Sequence, residues 1–381
     1  MSKPLDGILV ADFSRVLAGP FCTQLLADAG ARVIKVEEPQ RGDETRYWGP
    51  PFVGDTSAYF LSLNRNKESL ALDLKNDVDI VRRLIERADV VIDNFLPSQR
   101  RANGLRDVRA INPRAIHCSI TGYDPDTSDG DAPGYDLLAQ AGAGFMSITG
   151  EPDGDPVKAG VATSDILTAQ YAFGAIVTAL YAREKSGEGA RIEVSLFAST
   201  LASLVYIAQN TLVTGHDPKR YGNGHPSIVP YQLFHGKDRA FVVGAGTDRH
   251  FRALCEQVIE QPEIASDARY ATNEKRVRNR AKLIPLLESI FRTRKAKVWV
   301  SRCRDARVPA AVVQTVREAL ESESGRVLVT NNMLRNPVRV DGKRCGTGTP
   351  PPRLGEQTKK IVRELGVSRP STKRATRSRR R

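Results

Sequence analysis

The 381-residue sequence has few of the features that mark disulfide-linked, metal-binding or membrane-spanning proteins. Its five cysteines are scattered, odd in number and without the CxxC spacing of zinc and redox sites. Its five histidines show no HExxH pattern or other ligand spacing. No apolar run approaches the roughly 20 residues that span a bilayer, and the first residues lack the apolar core of a secretory signal. The sequence therefore predicts a reduced, cytoplasmic protein with no metal site and no membrane segment.

Several catalytic and nucleic-acid-binding signatures are also missing. No GxSxG elbow occurs, so a serine hydrolase of the α/β class is not indicated. Aromatic residues make up 6% of the chain, and neither an RNA-recognition motif nor a helix-turn-helix pattern is present. The chain contains 40% hydrophobic and 27% charged residues, a composition typical of a soluble globular protein.

Positive charge is concentrated at the C-terminus. Residues 368–381 contain seven arginines and lysines and no acid, and without them the net charge falls from +13 to +6. The composition of this tail predicts disorder. Its charge would suit a nucleic acid or an anionic surface. We favour the alternative, a solvated tail, and expect no specific nucleic-acid partner.

The length of the chain suggests two domains. Strands alternate with helices in residues 1–214, which favours a large Rossmann-like α/β domain with a doubly wound, mostly parallel sheet. Composition shifts around residues 215–230, and we expect a smaller α+β domain at residues 215–325. Residues 326–367 are expected to return to the large domain, and residues 368–381 form the tail.

The ends of the predicted strands indicate where a ligand binds, because doubly wound sheets bind ligands beyond the carboxyl ends of their strands. The predicted strands of the large domain are residues 8–13, 31–36, 69–74, 90–92, 115–120 and 191–194. Predicted helices include residues 21–29, 78–87, 196–213 and 358–365. The residues at the strand ends are Val16, Leu17, Leu72, Asp73, Leu74, Lys75, Asn94 and Phe95.

The first βαβ unit raises the possibility of a dinucleotide site. Pro20 is predicted to open the helix after the first strand, since proline suits the first helical position. The turn at residues 14–20 has one glycine where dinucleotide-binding proteins have GxGxxG. An NAD(P)-dependent Rossmann dehydrogenase therefore remains an alternative function, although this chain lacks the phosphate-binding motif of such enzymes.

Asp165 lies at the start of a predicted helix that Gly187 and Gly189 end. Apolar residues recur along one face of this helix at Ile166, Ala169, Phe173, Ile176, Val177 and Leu180. A carboxylate at a helix N-terminus interacts with the positive end of the helix dipole and can accept unpaired N–H groups. Both effects favour its ionised form. From the residues alone, Asp165 is either a helix cap or a carboxylate poised for chemistry.

The chain resembles the family III coenzyme A transferases, a group that includes formyl-CoA transferase, carnitine CoA-transferase and α-methylacyl-CoA racemase. The matching segments are residues 4–8, 12–20, 28–37, 64–67, 94–95, 134–136, 194–196 and 354–358, together with the Asp165 helix. The resemblance covers residues 4 to about 366. It implies a homodimer of two interlocked, ring-like subunits, with each active site at the boundary of the large and small domains.

The resemblance also implies a mechanism. Asp165 matches the carboxylate that attacks the acyl-CoA thioester, giving an aspartyl mixed anhydride and then an aspartyl–CoA thioester. Attack by a carboxylate conserves the activated acyl bond, so the exchange needs no ATP, no metal and no permanently bound cofactor; CoA and acyl-CoA are substrates. Within the family, racemases place a histidine base where this chain has Tyr135, which counts against the racemase alternative.

Further site residues are implied by the same resemblance. CoA contacts are expected from Val16, Leu17, Leu72, Asp73, Leu74, Lys75, Asn94 and Phe95, with Arg100 or Arg101 replacing cations that formyl-CoA transferase has elsewhere. Residues expected around the acyl or acceptor group are Arg46, Trp48, Tyr59, Tyr135, Asp136, Gly222, Gly224 and His225. Two departures put formyl and oxalate specificity in doubt: Leu17 replaces a glutamine, and a contiguous four-glycine loop is absent.

Four segments are similar to a narrower group, the succinyl-CoA:glutarate (hydroxymethylglutarate) CoA-transferases. They are residues 45–54, 118–123, 227–232 and 242–246. This likeness implies succinyl-CoA as the donor and a dicarboxylic acid of four to six carbons, such as glutarate, as the acceptor. We expect Arg46, His225 and the amides near Gly222 and Gly224 to bind the second carboxylate, because a charge-assisted pair stabilises it in a partly dry site.

Overall fold

A computed structural model describes residues 3–346 and 348–367, so the predicted tail at residues 368–381 lies outside the described part. The chain forms two compact units. The first contains the residues up to Phe145, Ala159–Thr214 and the residues from Val327 onward; the second contains Met146–Lys158 and Gly215–Arg326. The expected division therefore needs one correction, because Met146–Lys158 belongs to the second unit although it precedes the Asp165 helix in sequence.

A six-stranded parallel sheet forms the centre of the first unit. Its strands are β1 (Leu9–Asp12), β2 (Arg32–Glu37), β5 (Lys67–Ala71), β6 (Val90–Asp93), β7 (Ile116–Thr121) and β8 (Arg191–Ser195), and a short antiparallel pair, β3 (Phe52–Val53) and β4 (Thr56–Ser57), lies between β2 and β5 in sequence. The order across the sheet is β5-β2-β1-β6-β7-β8. This order confirms the predicted parallel α/β sheet, and it reverses direction between β1 and β6.

Helices cover both faces of this sheet, because strands that are buried on both faces need an apolar layer on each side. The helices of this unit before residue 215 are α1 (Ala18–Asp28), α2 (Ala58–Leu63), α3 (Val78–Arg87), α4 (Pro97–Ala102), α5 (Val108–Ile111), α6 (Asp136–Gly142), α7 (Thr163–Ser186), α8 (Leu196–Ser203) and α9 (Tyr206–Thr214). On one face Leu26 and Ile176 pack with Val10; on the other Leu84 packs with Ala11 and Val91.

The reversal of strand order places two loops side by side at one edge of the sheet. Asp12 of β1 lies opposite Ile92 of β6, and the Phe13 N–H donates to the Ile92 carbonyl at 2.8 Å. The chain after β1 and the chain after β6 therefore leave the sheet together. Crevices of this kind are the usual ligand site of open α/β sheets.

Two local predictions differ from the structure. Helix α1 begins at Ala18, so Pro20 is its third residue rather than its first; proline is still tolerated there because the first-turn N–H groups have no partner within the helix. The single helix expected at residues 196–213 is two helices, α8 and α9. Val205 between them has a φ of 41°, a left-handed conformation that a helix cannot continue through.

The second unit is an α+β layer built on a small antiparallel sheet. Strands β9 (Tyr231–His235) and β10 (Ala240–Gly244) pair with β11 (Ala310–Val312) in the order β11-β10-β9. The helices of this unit are α10 (Asp248–Ala253), which continues as one π-helical stretch over Leu254–Val258, α11 (Pro262–Ser266), α12 (Asn273–Arg278), α13 (Arg280–Phe291), α14 (Ala296–Asp305), α15 (Val316–Glu321) and α16 (Glu323–Arg326). Phe234, Phe241, Phe291 and Trp299 fill its core.

The remaining segment belongs to the first unit. It contains two short hairpins, β12 (Val329–Thr330) with β13 (Met333–Leu334) and β14 (Arg339–Val340) with β15 (Lys343–Arg344), and one final helix, α17 (Thr358–Leu365). Ile361 and Leu365 of α17 pack into the same core as α3. Among the described residues no single helix is long and apolar enough to cross a membrane, although the bent pair α8 and α9 passes the same test of length and composition.

Candidate active site

A cavity of about 170 Å³ opens at the carboxyl ends of β1, β6 and β7. Of the residues predicted for the site, Val16, Asn94, Phe95, Tyr135 and Asp165 line it. The other lining residues are Arg15, Ala18, Glu44, Leu96, Ile120, Thr121, Gly122, Pro133, Gly134 and Leu196. The predicted convergence of strand ends with Asp165 is therefore present in the structure.

Asp165 lies in the first turn of α7 but does not cap it. The N-cap residue is Ala162, and no side chain of α7 itself makes a capping hydrogen bond. The cap comes from another helix: Oδ1 of Asp136, the first residue of α6, accepts the Ser164 N–H at 2.8 Å. The interpretation of Asp165 as a cap is therefore wrong. Its carboxylate is left available to face the cavity.

The pKa of Asp165 departs from its usual value in the direction opposite to that expected from the helix dipole. Burial and the neighbouring Asp136 carboxylate raise this pKa to about 7, while a hydrogen bond from the Ala18 N–H acts against the rise. The expectation that the helix start favours the ionised form is corrected here, because desolvation and a like charge outweigh the dipole. Raised carboxyl pKa values of this kind are concentrated at catalytic sites.

Asp136 is itself held in place on both oxygens. Its Oδ2 accepts from Nε2 of Gln140 at 2.6 Å, and Oε1 of Gln140 accepts the Ala159 N–H at 2.8 Å. Gln140 is fully buried. The charge that raises the pKa of Asp165 is therefore fixed by a chain of hydrogen bonds that ties α6 to the segment preceding α7.

Two glycines bring α6 close to the end of β7. A Cβ built on Gly134 would lie 2.2 Å from the Gly122 Cα, and one built on Gly122 would lie 2.6 Å from the Gly134 Cα. Only glycine at both positions allows this backbone approach. It places Tyr135, which is 54% exposed, at the rim of the cavity that contains Asp165.

Two aromatic side chains predicted for the substrate lie next to each other. Trp48 and Tyr59 form an edge-to-face pair with ring centroids 5.4 Å apart. Burial raises the pKa of Tyr59 to about 12, and the negative charges of Asp165 and Asp136 add to the rise. Tyr59 is therefore within the electrostatic reach of Asp165, where its neutral phenol can act as a hydrogen-bond donor.

A second cavity, of about 590 Å³, adjoins the first and shares Arg15 and Phe95 with it. The predicted CoA contacts Leu72, Asp73, Leu74 and Lys75 all line this second cavity, at the end of β5. Its other lining residues are Phe13, Val36, Glu37, Glu38, Gln99, Ala102 and Asn103. Seven of the residues predicted for CoA thus line two adjoining cavities, one of which contains Asp165.

Arg15 stands at the junction of the two cavities and was missed as a site residue. Its side chain is 48% exposed, and its guanidinium makes only a long ion pair of 3.6 Å with Glu44. The same group lies 5.7 Å from the centroid of the Phe95 ring. The sequence contains a signal for Arg15, because this residue lies between Ser14 and Val16 in the turn after β1.

Two predicted cations are engaged elsewhere. Arg46 is buried and donates from Nε and Nη2 to the Glu37 carboxylate at 2.8 Å each, with its guanidinium 3.7 Å from the Phe60 ring centroid. Arg100 is buried and donates from Nε to Asp93 at 3.1 Å. We therefore correct both assignments: these arginines support the fold around the site instead of offering a free charge to a ligand.

Like Arg100, six further predicted residues of the first unit, Arg46 among them, line neither cavity. Leu17 is buried as the N-cap residue of α1. Arg101 is exposed on α4. Arg46, Trp48, Tyr59 and Asp136 surround the site without forming the cavity wall.

The predicted glycine segment lies in the second unit, whereas Asp165 lies in the first. Gly222 has a φ of 56°, and its N–H donates to the Gly150 carbonyl at 3.1 Å. Nδ1 of His225 accepts the Ser227 N–H at 3.0 Å, so the proton of the neutral ring is on Nε2. Burial and the nearby Arg280 lower the pKa of His225, which favours that neutral ring.

Metal ligands are not grouped in the described part of the chain. Across residues 3–346 and 348–367, no set of three or more histidine, cysteine, aspartate or glutamate side chains is arranged to hold a metal ion. The chemical groups that line the first cavity include the Asp165 carboxylate of raised pKa and the Arg15 guanidinium.

Comparison with known proteins identifies the family. The family model described as CoA-transferase family III matches residues 5–358. A succinyl-CoA:glutarate CoA-transferase from Mus musculus is 40% identical over 95% of this chain and 86% of its own length. An acetyl-CoA:oxalate CoA-transferase from Acetobacter aceti is 39% identical over 96% of each chain. The crystal structure of a CAIB/BAIF family protein from Brucella suis superposes with a TM-score of 0.86 at 38% identity, covering 96% of this chain and 100% of that one. The chain belongs to CoA-transferase family III.

Proposed function

We propose that this enzyme moves CoA from succinyl-CoA to a dicarboxylic acid such as glutarate, through a covalent intermediate on Asp165. One observation carries the proposal. Asp165 lines a cavity, and burial and the neighbouring Asp136 carboxylate raise the pKa of Asp165 to about 7. A carboxylate of raised pKa is more basic than a solvated one, so it is a better nucleophile, and a large fraction is still ionised at neutral pH.

The first half of the reaction transfers the acyl group to the enzyme. An Asp165 oxygen attacks the thioester carbonyl, the carbon–sulfur bond breaks, and CoA leaves as a thiolate. The product is a mixed anhydride between Asp165 and the donor acid. The thiolate then attacks the Asp165 carbonyl carbon, which releases the donor acid and leaves an aspartyl–CoA thioester. Neither step consumes an external energy source, because each activated bond is exchanged for another.

The second half repeats these steps in reverse with the acceptor. The acceptor carboxylate attacks the aspartyl–CoA thioester and forms a second anhydride with release of the thiolate. The thiolate then attacks the acyl carbon of the acceptor, and Asp165 is regenerated as a carboxylate. Water would hydrolyse either activated form, so the small volume and partly buried position of the cavity favour transfer over hydrolysis.

The two adjoining cavities suggest how CoA binds. We place the thioester in the cavity of Asp165 and the nucleotide end of CoA in the larger cavity at the end of β5. CoA carries phosphate groups, which need cationic partners. Arg15 at the junction and Lys75 in the larger cavity supply positive charge along that path. Arg101 on α4 contributes to neither wall.

The acceptor class follows from the relatives and from the sequence. The two relatives described above are named for glutarate and for oxalate, and both acceptors are dicarboxylates. The segments at residues 45–54, 118–123, 227–232 and 242–246 resemble the glutarate group. Arg46 is bound to Glu37, so we do not assign it to the second carboxylate.

The proposal is tested by a panel of acids offered with succinyl-CoA, with new CoA thioesters identified by mass spectrometry. We expect C4 to C6 dicarboxylates to react with a higher kcat/KM than butyrate of similar length. A charge-assisted pair with the second carboxylate is worth roughly 1.5–3 kcal/mol, or about ten- to a hundredfold. Equal values for butyrate and glutarate would rule out a dedicated second-carboxylate site, and Asp165→Asn serves as the inactive control.

We also propose that the protein works as a homodimer. Large apolar side chains of α7, α8 and α9 are exposed in the single chain, and Leu212 and Val213 are the most exposed of them, at 80% and 74%. Exposed apolar patches on a single chain mark protein interfaces. Light scattering coupled to gel filtration should give twice the 41.8 kDa mass of the chain. A monomer that retains full activity would contradict the proposal.

A further inference from the structure

The connection between β6 and α4 contains a residue that the two cavities share. Phe95 lines both of them. The Arg15 guanidinium lies 5.7 Å from the centroid of its ring, and Phe95 as a whole is only 8% exposed. A ligand that extends from one cavity into the other therefore passes this ring.

Helix α4 supplies the adjoining wall of the second cavity. Gln99 and Ala102 of the helix line it, together with Asn103 directly after the helix. The helix has six residues, which is too short for a helix to be stable by itself. Within the described structure its N-cap residue, Leu96, makes no side-chain capping hydrogen bond. The position of α4 therefore depends on contacts with the rest of the unit.

Those contacts converge on Arg100. All of α4 is described, and Arg100 is its one buried residue. A surface helix is usually held to its core by an apolar stripe, whereas α4 is held by a guanidinium. Nε of Arg100 donates to Oδ1 of Asp93 at 3.1 Å, and Nη2 donates to the Phe95 carbonyl at 3.3 Å. One side chain thus ties α4 to the end of β6 and to the shared ring.

Asp93 completes this arrangement from the strand. It is the last residue of β6 and is fully buried. Its Oδ1 accepts the Phe95 N–H at 3.1 Å in addition to the bond from Arg100. The N–H and the carbonyl of Phe95 are therefore both bound to buried side chains. A backbone held at both of these groups leaves the ring little freedom to move.

The second oxygen of Asp93 is fixed to the neighbouring strand. Oδ2 accepts from Oγ of Ser119 at 3.1 Å and lies 2.8 Å from Nε2 of His117. Asp93 and Ser119 are partners in the pairing of β6 with β7. One oxygen of Asp93 is thus anchored in the sheet, and the other holds the connection that leaves it.

Stability alone does not account for a buried ion pair at this place. Taking an arginine and a carboxylate out of water costs free energy that their attraction often does not offset, and apolar side chains of similar size do as well or better. What a guanidinium adds is geometry, because its planar fork donates in fixed directions to two acceptors. Here the two acceptors are the Asp93 carboxylate and the Phe95 carbonyl.

We propose that Asp93 and Arg100 are positioning residues for the binding of acyl-CoA: the pair holds Phe95 at the junction of the two cavities and α4 against the second one. Among the described residues that line the cavities, neither Asp93 nor Arg100 is present, so both act on the ligand through Phe95 and α4. The inference rests on the proposed placement of CoA across the two cavities.

The test variant is Arg100→Lys. Lysine keeps the positive charge and can pair with Asp93, but its ammonium group lacks the planar fork that also reaches the Phe95 carbonyl. The matched control is Arg65→Lys, since Arg65 is another buried arginine of the same unit, donates from Nε to Asp28 at 3.0 Å and lines neither cavity. If Arg100→Lys folds poorly, Asp93→Asn replaces it, because the amide keeps an oxygen that can accept the Phe95 N–H.

The first readout is amide hydrogen exchange, measured by mass spectrometry on peptides that cover residues 94–103 of the ligand-free protein. Exchange there should be faster in Arg100→Lys than in the wild type, because the connection and α4 lose an anchor. The Arg65→Lys control should exchange like the wild type in these peptides. Unchanged exchange in Arg100→Lys, or an equal increase in the control, would overturn the proposal.

The second readout is the affinity for CoA, measured by isothermal titration calorimetry. We expect the Kd to rise about tenfold in Arg100→Lys, the equivalent of one hydrogen bond to a charged group. The control should bind CoA as the wild type does. With succinyl-CoA as the donor, KM should rise while kcat changes much less, because a binding contact and not a transition-state contact is lost. An unchanged Kd, or a fall in kcat with KM unchanged, would count against the positioning role.

The third readout shows whether the pair acts through the ring. A double-mutant cycle combines Arg100→Lys with Phe95→Leu, and the Kd for CoA is measured for all four proteins. If Arg100 positions Phe95, the fold change caused by Arg100→Lys should be smaller in the Phe95→Leu background. The same fold change in both backgrounds would show that the effect bypasses the ring, and the proposal would fail.

These measurements also separate the inference from the proposed function. If CoA does not bind the wild type, the proposed placement of CoA is wrong and the inference fails with it. If CoA binds the wild type and Arg100→Lys equally well, the inference alone is wrong and the proposed function stands. Weaker binding in Arg100→Lys, with faster exchange at residues 94–103 and an unaffected control, is the result that we predict.

Discussion

Asp136 caps the helix whose first turn contains Asp165, and its negative charge also raises the pKa of Asp165. Asp136 accepts the Ser164 N–H at 2.8 Å and so caps α7 from outside, which frees the Asp165 side chain from that task. The same arrangement places a second negative charge beside Asp165, and with burial it raises the pKa of Asp165 to about 7. A single contact therefore both exposes the carboxylate to the cavity and makes it more basic.

The raised pKa predicts that the ionised nucleophile destabilises the fold. The usual pKa of an aspartate carboxyl is 3.8 and the pKa of Asp165 in the fold is about 7, so the folded protein holds the proton more tightly than the unfolded chain. Stability from this group is fully present below about pH 4 and is lost as pH rises to about 7. Asp165→Asn should therefore stabilise the protein at pH 8 by on the order of 2–4 kcal/mol.

Urea unfolding of the wild type and Asp165→Asn at pH 4, 6 and 8 measures this effect. The difference in the free energy of unfolding should be small at pH 4, grow up to about pH 7 and then stay constant. A variant that is less stable than the wild type at pH 8 would contradict the raised pKa.

Neutralising Asp136 should lower the pKa of Asp165, because a like charge disfavours the ionised form. Asp136→Asn keeps an oxygen that can accept the Ser164 N–H, so the helix cap survives. We expect the acid limb of the pH–rate profile to move to lower pH by about half a unit to one unit. A profile that stays in place or moves upward would show that burial alone sets the pKa.

Arg15 should contribute to the binding of acyl-CoA. Its guanidinium lies at the junction of the two cavities, 3.6 Å from the Glu44 carboxylate and 5.7 Å from the centroid of the Phe95 ring. Arg15→Gln should raise the KM for acyl-CoA about tenfold, since a charge-assisted bond to phosphate is lost. Arg101→Gln tests the alternative, in which Arg101 is the cation that binds CoA. An increase in KM in Arg101→Gln but not in Arg15→Gln would favour Arg101 over Arg15.

The sequence predicted the architecture where local pattern and topology agree. The parallel sheet, helix α3 at residues 78–87 and helix α17 at residues 358–365 were all predicted, because apolar periodicity and strand–helix alternation determine them. The meeting of Val16 and Asn94 at one cavity followed from the rule that parallel strands end at one edge, whereas Asp165 was assigned to the site by the family resemblance.

The features that were missed depend on contacts between distant residues. The true cap of α7 is Asp136, which lies in a different helix, and the pKa of Asp165 depends on burial, which a single segment does not reveal. Arg46 looked available in sequence, but its partner Glu37 comes from a neighbouring strand. The break at Val205 was missed because the apolar pattern continues through it. Each of these requires the positions of two elements, not the pattern of one.

The central claim is that Asp165 becomes covalently modified during turnover. The enzyme is incubated with succinyl-CoA and trapped with hydroxylamine, and the peptide that contains Asp165 is examined by mass spectrometry, alongside Asp165→Asn treated in the same way. Asn is nearly isosteric, but its amide is a much weaker nucleophile, so the variant should bind acyl-CoA and transfer nothing. We predict a hydroxamate mass shift on Asp165 in the wild type and none in the variant. Wild-type transfer activity in Asp165→Asn, with no modified Asp165 peptide from the active enzyme, would contradict the account.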